Sequence, residues 1–413
     1  MVRAAILVTG DEVLGGRVPE RNAAYLARSL APLGVRVVRT LVVSDTIEDI
    51  SEGLGQLLAL GVDLVCTSGG LGPTYDDLTM AAVAEATSRA LTVDETALAL
   101  VEGRSRAVAL RVQVDPADLE RMRRKQATLP QGATVLPPIG TAPGCVLTHQ
   151  GTLIVVLPGP PYELQGMWDV ALRDGPIAEL VATAKSEPTR TFRLWSIFEA
   201  QLVPVLEPLG EEVLDQIGTY TREGELEIVV PPALADAVGE LLAEHFGTYL
   251  FATDDRHVES LIADALVARG ETLAVGESCT GGGLGARLTV LPGASRWFVG
   301  GAITYSNESK TVLLGVDRDV IATYGAVSQE CVLQMAAGAR HVTGADWAVA
   351  ITGIAGPEGG SADKPVGLVW IGVAGPDDQV VAFEHRLLRS DRETVRRRAQ
   401  TAALHRLRLA LAV

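Results

Sequence analysis

Short runs of apolar residues alternate with longer segments in which apolar and polar residues recur at helical spacing. The short runs predict buried strands and the longer segments predict amphipathic helices. In the first 170 residues the strands are predicted at 4–9, 35–43, 64–67 and 153–157, and the helices at 22–33, 47–60 and 162–168. Strands that alternate with helices pair in parallel through crossover connections, so this part of the chain is predicted to form an α/β parallel sheet.

The pattern changes near residue 189. Strands at 191–198 and 225–230 with helices at 199–206 and 234–246 predict a small α+β module. A polar segment at 251–256 leads into a helix at 258–269, a strand at 272–275, a helix at 284–288 and a final helix at 391–411 with its arginines on one face. We therefore predict three domains of an α/β protein, at 1–170, 171–252 and 253–413, which suits a chain of 413 residues.

Composition narrows the class of protein. The chain is 47% hydrophobic and 21% charged, as expected of a globular protein, and its net charge of −16 argues against nucleic acid or an anionic membrane as the main partner. Basic clusters at 121–125 and 396–398 are interpreted as solvated helix faces. The four cysteines are far apart in sequence, without metal-ligand spacing, and no signal peptide or membrane span is indicated, so a cytoplasmic protein is predicted.

Two nucleophilic residues precede a glycine run in the segment 276–283. Ser278 and Cys279 lie between a predicted strand and a predicted helix, where backbone N–H groups at the helix start can hold an oxyanion. The segment 301–310 contains Tyr305 and Lys310, one of only four lysines in the chain. A serine, a lysine and a tyrosine on adjoining loops are the parts of a Ser–Lys amide hydrolase. The alternative is a tight strand-to-helix turn beside a solvated lysine.

A third glycine-rich loop lies at 351–360, closed by 364–367, and contains Thr352, Gly353 and Gly356. Three such loops, each after an apolar strand, exceed what turns require. The sequences ESCTGG, TYSNESK and TGIAGPEGGSADKPVG resemble the carboxy-terminal domain of the CinA (competence/damage-inducible) family, which is similar to free-standing nicotinamide-nucleotide amidohydrolases.

This resemblance implies deamidation of nicotinamide mononucleotide without a metal. Ser278 would attack the amide carbonyl, neutral Lys310 would accept the proton, and Tyr305 would relay or orient that proton. N–H groups near Thr280, Gly281 and Gly282 would hold the oxyanion, and the loop 352–356 would hold the ribose or phosphate. Cys279 remains the rival nucleophile, although no adjacent motif offers it a histidine.

A further glycine-rich loop follows the strand predicted at 64–67. Gly69, Gly70 and Gly72, with Thr74, would let backbone N–H groups approach an anion. Asp76 and Asp77 are carboxylates suited to Mg²⁺ or a similar cation, and the carboxyl ends of parallel strands are where such folds bind ligands. The alternative is a Gly-Pro turn with Asp77 capping the next helix.

With the segments 10–12, 22 and 43–45, this loop resembles the molybdopterin-binding domain of molybdenum cofactor biosynthesis proteins, and most of all the CinA amino-terminal domain. That resemblance implies metal-dependent cleavage of ADP-ribose to AMP and ribose 5-phosphate, with Asp45 and Asp77 at the metal. Ser44 and Thr46 depart from the family pattern, in which glycine and asparagine are usual, and this affects the expected ligand preference more than the fold.

Two other functions compete with a two-site hydrolase. One is a nucleotide- or molybdopterin-binding protein with an inactive amidase domain. The other is a nucleic-acid accessory, because the middle module resembles a KH-like fold; its segment 210–213 is acidic and lacks the second glycine of a GxxG loop, which disfavours RNA or DNA. The expected partners are pyridine and adenine nucleotides and, by family analogy, a second copy of the chain, with no membrane.

Overall fold

The computed structural model describes residues 1–109, 115–184, 189–377, 379–387 and 390–413. By contacts, the chain divides into two compact units, Met1–Pro188 and Thr189–Val413. In the described part of the chain, no helix is both long enough and apolar enough to span a bilayer.

The first unit alternates strands and helices, as predicted. In chain order its elements are β1 (Val2–Thr9), α1 (Asp11–Leu14), α2 (Asn22–Leu30), β2 (Val35–Val43), α3 (Ile47–Leu58), β3 (Leu64–Ser68), α4 (Thr79–Ala86), β4 (Leu91–Val93), α5 (Glu95–Ala109), α6 (Pro116–Gln126), β5 (Thr128–Pro130), β6 (Thr134–Leu136), β7 (Gly144–His149), β8 (Thr152–Leu157), α7 (Pro161–Arg173) and α8 (Pro176–Thr183).

A six-stranded sheet in the order β2-β1-β3-β8-β7-β6 organises the first unit. The strands β2, β1, β3 and β8 are parallel, whereas β7 and β6 are antiparallel to their neighbours. Every residue of β1 except Arg3 is buried, because apolar clusters cover both faces of the sheet. That two-sided burial explains why the strands appear in the sequence as continuous apolar runs. It also brings the carboxyl ends of four parallel strands to one edge.

The second unit contains the remaining elements. They are β9 (Arg190–Trp195), α9 (Glu199–Leu206), α10 (Glu211–Leu214), β10 (Gly218–Arg222), β11 (Glu225–Val230), α11 (Pro232–Phe246), β12 (Leu250–Ala252), α12 (Val258–Arg269), β13 (Leu273–Glu277), α13 (Gly283–Leu288), β14 (Phe298–Ile303), α14 (Asn307–Leu314), α15 (Arg318–Tyr324), α16 (Gln329–Thr343), β15 (Trp347–Gly353), β16 (Leu368–Ala374), β17 (Val380–Arg386) and α17 (Arg392–Ala410).

Two sheets form the second unit. The middle sheet is antiparallel, in the order β10-β11-β9-β12. The five-stranded sheet has the order β14-β13-β15-β16-β17; β14, β13 and β15 are parallel, and β16 and β17 are antiparallel. The central strand β13 is buried throughout, and the loop that follows it emerges between two parallel neighbours.

The predicted fold class is confirmed: parallel α/β sheets lie at both ends of the sequence, with a small α+β sheet between them. The boundaries of the three domains remain a prediction. Two details differ. The strand predicted at 191–198 ends at Trp195, because Ser196 has a φ of 64° that interrupts the extended backbone. The arginines of the last helix do not share one face: Arg408 is buried, whereas Arg397 is exposed.

Candidate active sites

Three loops meet at the carboxyl edge of the five-stranded sheet. Ser278 follows β13, Thr304 follows β14, and Thr352 lies near the end of β15. The parallel register pairs Glu277 with both Ile303 and Ile351, so the strands end almost side by side. The topology therefore gathers the three glycine-rich segments of the carboxy-terminal region at one place.

The hydroxyl of Ser278 lies 3.0 Å from the amine of Lys310. Lys310 is on α14 and only 1% exposed, and its Nζ donates a hydrogen bond to the backbone oxygen of Thr304 at 2.7 Å. Among the described residues, no carboxylate forms an ion pair with this amine. Burial lowers the pKa of Lys310, because a charged ammonium loses its hydration there without an acidic partner to replace it. The pair thus combines a hydroxyl with an amine biased toward its neutral form.

The loop after Ser278 is held by the preceding glutamate. The carboxylate of Glu277, 1% exposed, accepts hydrogen bonds from the N–H groups of Gly282 (3.0 Å), Leu284 (3.0 Å) and Gly285 (2.8 Å) at the start of α13. Gly282 has a φ of 92°, and a Cβ there would lie 2.8 Å from Ile303, so this position requires glycine. The sequence did not indicate this cap.

This cap corrects one expectation. Gly282 N–H donates to Glu277, and Gly281 N–H donates to the backbone oxygen of Ser278 at 3.1 Å, so neither is available for an oxyanion. In the described structure, the N–H groups of Cys279 and Thr280 donate to no other residue. The candidate oxyanion donors therefore lie two and three residues earlier in the loop than Gly282.

Cys279 is a poor competitor for Ser278. Its side chain is 5% exposed, and burial raises the pKa of the thiol to about 11. Since the thiolate is the reactive form, very little of it exists at neutral pH. All four cysteines are free and buried, and none of the other three is on this loop.

Two arginines at the start of α17 contact these loops. Arg396 was predicted to lie on a solvated helix face, and Arg392 was not predicted as a site residue. Arg392 donates to the hydroxyl of Tyr305 and to the backbone oxygen of Gly356, both at 2.6 Å. Arg396 donates to the backbone oxygen of Thr280 at 2.7 Å. The solvated-face interpretation is therefore wrong for Arg396. The only signal in the sequence was the i, i+4 spacing of the two arginines at a helix start.

Other predicted residues have structural partners. The hydroxyl of Tyr305 contacts Arg392, and the described contacts include none between Tyr305 and Ser278 or Lys310, so its proton-relay role stays a prediction. The hydroxyl of Thr352 is buried and donates to the backbone oxygen of Ala326 at 2.8 Å. A Cβ on Gly353 would lie 2.9 Å from the backbone oxygen of Leu368, so this glycine serves strand packing. Gly356 has a φ of 83°.

A cavity of about 530 Å³ lies at the carboxyl edge of the sheet in the first unit. Its lining includes Thr9, the loop residues Ser68, Gly69, Gly70 and Thr74, and the carboxylates of Asp45, Asp76 and Asp77. Asn22 donates to Ser68 Oγ at 2.9 Å and to the backbone oxygen of Gly159 at 2.7 Å, which ties the ends of β3 and β8 together. The predicted residues of the amino-terminal site therefore share one cavity, apart from Gly72.

The glycines of this loop are required by its own packing. A Cβ on Gly69 would lie 2.6 Å from the backbone oxygen of Thr9, and one on Gly70 would lie 2.3 Å from the hydroxyl of Thr79. A Cβ on Gly72 would lie 2.4 Å from Asp77. The sequence predicted that these glycines let an anion come close to the backbone. In the structure they let the loop itself pack closely against Thr9, Thr79 and Asp77.

The three aspartates differ in their contacts. Oδ2 of Asp77 accepts from the N–H of Thr74 at 2.8 Å and from its hydroxyl at 2.7 Å, so Asp77 closes the loop and does not cap α4. Asp76 also accepts from the Thr74 hydroxyl, which lowers the pKa of Asp76. Asp45 accepts from the N–H of Asp11 at 2.9 Å, and burial raises its pKa.

The cavity of the first unit offers few protein ligands for a divalent cation. In the described ranges, no group of three or more His, Cys, Asp or Glu side chains lies close enough together to hold a metal ion. Mg²⁺, however, is commonly held by one or two carboxylates together with waters and substrate phosphates. Asp45 and Asp77 line the same cavity and fit that mode, whereas they do not fit an all-protein cage.

Comparison with known proteins covers both regions. Residues 255–411 match the CinA C-terminal domain family, and residues 5–176 match the family described as a probable molybdopterin binding domain. A CinA-like protein from Mycobacterium sp. (strain JLS) is 43% identical over 420 residues, which is 99% of each chain. A CinA-like protein from Mycolicibacterium gilvum (strain PYR-GCK) is 44% identical over 421 residues, covering 99% of this chain and 98% of that protein.

Solved structures are also similar, and one of them illustrates the extent of the match. The competence/damage inducible protein CihA from Agrobacterium tumefaciens is 39% identical, with 38% of this chain and 96% of that chain covered and a TM-score of 0.36.

Proposed function

Because this chain belongs to the CinA family, we propose that its carboxy-terminal domain is an amidase that hydrolyses nicotinamide mononucleotide to nicotinate mononucleotide and ammonia. The observation that carries this proposal is the buried pair of Ser278 and Lys310, whose Oγ and Nζ lie 3.0 Å apart, while no carboxylate of the described residues forms an ion pair with the amine. A hydroxyl beside a neutral amine is a nucleophile with its general base.

In the first half of the reaction, Ser278 Oγ attacks the carboxamide carbon while its proton moves to neutral Lys310. The N–H groups of Cys279 and Thr280 stabilise the oxygen of the tetrahedral intermediate. Lys310, now an ammonium, returns the proton to the amide nitrogen, the C–N bond breaks, and ammonia leaves. The product of this half is an ester between Ser278 and the nicotinoyl group.

In the second half, a water molecule attacks the ester carbon and Lys310 accepts a proton from it. Lys310 then protonates Ser278 Oγ as the ester bond breaks, which releases the carboxylic acid and restores both residues. The acid gives its proton to water or to the released ammonia and becomes the carboxylate product. The hydrogen bond from Lys310 to Thr304 O fixes the amine in both halves. No oxidant, reductant or metal is needed to balance these steps.

Arg392 is the residue we assign to the charged end of the substrate. Its guanidinium contacts the loops 304–310 and 352–356 at the rim of the site, through Tyr305 and Gly356. A guanidinium matches the geometry of a phosphate. Tyr305 then orients the substrate with Arg392, in addition to the proton role predicted for it.

The test is ammonia release from nicotinamide mononucleotide, with the product identified by chromatography. The wild-type chain should release one ammonia for each nicotinate mononucleotide formed, and Ser278→Ala and Lys310→Met should each lose nearly all activity while remaining folded. If the wild-type chain binds the nucleotide without releasing ammonia, the alternative of a nucleotide-binding protein with an inactive amidase domain is correct.

A second proposal concerns the first unit, which belongs by sequence to the molybdopterin-binding-like domains. We propose that its cavity cleaves ADP-ribose to AMP and ribose 5-phosphate, because a glycine-rich loop and three carboxylates line one space. Asp45 and Asp77 would hold a divalent cation, which would supply Lewis-acid stabilisation of the diphosphate. Chromatography of ADP-ribose digests with and without Mg²⁺ tests this activity.

We also propose that the protein is a homodimer. The edge strand β14 and the adjacent α14 expose Val299, Ile303, Val312 and Leu313 at 50%, 56%, 67% and 46%. Large exposed apolar side chains on two adjoining elements suit an interface between copies. Sedimentation velocity measures the oligomeric state directly, and a monomer at all concentrations would contradict this proposal.

A further inference from the structure

The second unit contains a cavity that the proposed amidase mechanism does not use. It has a volume of about 470 Å³ and lies between the segments 195–199 and 221–224 of the middle module and the first turns of α17. Small-molecule sites commonly have volumes of about 300 to 1,000 Å³. The lining contains none of Ser278, Tyr305 or Lys310, so this is a separate cavity.

Arg398 supplies an unpaired positive charge to this cavity. The residue is half-buried on α17, and no carboxylate lies within ion-pair distance of it in the described part of the chain. The adjacent Arg397, by contrast, pairs with Glu393 at 3.2 Å. The chain has 51 acidic and 35 basic residues, so a shortage of carboxylates does not explain why Arg398 has no ion pair. A half-buried guanidinium facing open space without a carboxylate favours an anionic ligand.

Phe198 supplies an aromatic surface at the cavity. It is 70% exposed, which is unusual for phenylalanine, and its ring has no aromatic or cationic partner among the described residues. Trp195, on the same wall, already stacks on His405 at 4.7 Å and lies 5.1 Å from Arg406. Phe198 is therefore the ring available for a planar group.

Glu199, which lines the same cavity, supplies a hydrogen-bond acceptor. Its Oε1 accepts from Thr221 at 3.2 Å, and its Oε2 has no donor among the described residues. Two lining residues, Ser196 and Glu223, have φ values of 64° and 55°, two of the five positive φ values at non-glycine residues in the described chain. A residue other than glycine keeps a positive φ only where the surrounding structure imposes it, and residues with this conformation concentrate around ligand sites.

We infer that this cavity binds a nucleoside monophosphate. The phosphate contacts Arg398, the ribose hydroxyls donate to Glu199, and the base stacks on Phe198. This inference does not depend on the amidase proposal, because the two sites share no lining residue named for either.

Calorimetric titration of the full chain with AMP tests the inference. AMP should bind to the wild-type chain. Arg398→Gln and Phe198→Ala should each lower the affinity of one class of binding sites for AMP by about tenfold or more. That is the loss expected when a charge-assisted hydrogen bond or a stacked base is removed. Arg398→Lys should recover part of the loss. Arg296→Gln removes an exposed arginine outside the cavity and should change nothing.

Two further probes assign the contacts. Adenosine and inorganic phosphate should each bind more weakly than AMP, because each lacks one of the two anchors. Binding of AMP at the cavity of the first unit would persist in both variants and would appear as a separate class. Absence of AMP binding, affinity unchanged by both Arg398→Gln and Phe198→Ala, or adenosine binding as tight as AMP would overturn the inference. Ammonia release without AMP should stay within about twofold in both variants and serves as the folding control.

Discussion

A buried lysine without a carboxylate partner is the residue on which the amidase proposal depends. Lys310 is buried, and its two hydrogen bonds go to neutral oxygens. Such a setting favours the neutral amine, whereas an ion pair would have favoured the ammonium. The same feature links catalysis to the pH dependence of stability.

The first prediction compares Lys310→Met with the wild type across pH. In the unfolded chain the lysine has its ordinary pKa of about 10.4, and the folded pKa is lower. Between those two values the unfolded chain binds more protons, so the free energy of unfolding of the wild type rises with pH. Methionine binds no proton in either the folded or the unfolded chain. The difference in free energy of unfolding between variant and wild type should therefore shift in favour of the wild type as pH rises through this window.

Denaturant unfolding at several pH values measures that difference. Parallel pH dependences for the two proteins would show that the pKa of Lys310 is not lowered in the folded chain. Arg318→Met, at an exposed position, is a suitable control, because removal of a surface charge should not reproduce the trend.

The second prediction concerns the choice between Ser278 and Cys279. Cys279→Ala should keep deamidation within about tenfold of the wild type, because the buried thiol is protonated and only its packing is lost. Ser278→Ala should lose nearly all activity. Ammonia release measures both. A dead Cys279→Ala beside a normal Ser278→Ala would make the enzyme a thiol amidase.

At this scale the sequence located the pair of Ser278 and Lys310, which the structure brings together, better than the residues that support the pair. Ser278, Tyr305 and Lys310 stand out because serine, tyrosine and a rare lysine occur in short motifs after strands. Arg392 and Arg396 do not, because their partners are 87 and 116 residues away in sequence and depend on how the last helix packs. The role of Glu277 as a cap likewise depends on the turn of the chain after β13.

Among the elements, α17 connects the loops around Ser278 and Tyr305 with the middle sheet. Its first turns reach the amidase loops through the two arginines, and its later turns contact the middle sheet. His405 is fully buried, with Nε2 2.7 Å from Glu225 Oε1 and its ring stacked on Trp195. Arg408 donates to the backbone oxygen of Thr248 at 3.0 Å. The middle sheet therefore fixes the position of the helix that completes the amidase site.

The third prediction tests that connection through Glu223. This residue is at the turn between β10 and β11, and its carboxylate lies 3.4 Å from Arg287 on α13 and 3.8 Å from Arg397 on α17. Glu223→Ala should loosen both helices beside the nucleophile loop and lower kcat for deamidation by about threefold to tenfold, with a smaller change in KM.

Steady-state kinetics of ammonia release measure the two constants. Glu212→Ala, at an exposed position of α10, is the matched control and should behave as wild type. An unchanged kcat in Glu223→Ala would mean that the middle sheet has no influence on the amidase site.

Apolar runs located β1, β3 and β8, because strands covered on both faces need continuous apolar residues. The pattern also located β2 and β11, in which burial is not continuous. The hairpin of β10 and β11 was missed, because β10 has no buried residue and its turn uses glutamate at a positive φ where asparagine or glycine is usual.

At the scale of the whole molecule, the two proposed activities belong to separate compact units. The fourth prediction is that they can be removed independently. Asp77→Asn should abolish ADP-ribose cleavage, because one of two carboxylates that hold the cation is lost, and should leave deamidation within about twofold of the wild type. A chelator should have the same selective effect.

Both activities measured on the same preparation of each variant provide the check, with Lys310→Met as the reciprocal case. Unchanged ADP-ribose cleavage in Asp77→Asn would exclude this residue from the metal site.

The division into two units was only partly predictable from the sequence. Composition and pattern located the change near residue 189, but whether the middle sheet forms a separate domain depends on contacts with α17 that the sequence does not reveal.

The lowered pKa of the amine beside Ser278 also favours the binding of boronic acids at this site. When Ser278 Oγ adds to a trigonal boron, the boron becomes a tetrahedral anion and the hydroxyl proton passes to Lys310, so an ion pair forms where no charge existed before. A compound such as 3-pyridylboronic acid should therefore give a tetrahedral signal in boron NMR with the wild-type chain. That signal should be absent with Ser278→Ala and weaker with Lys310→Met; an equal signal with all three proteins would mean that the boron does not bind at this serine. An inhibitor class for the amidase thus follows from the absence of a countercharge at one buried lysine.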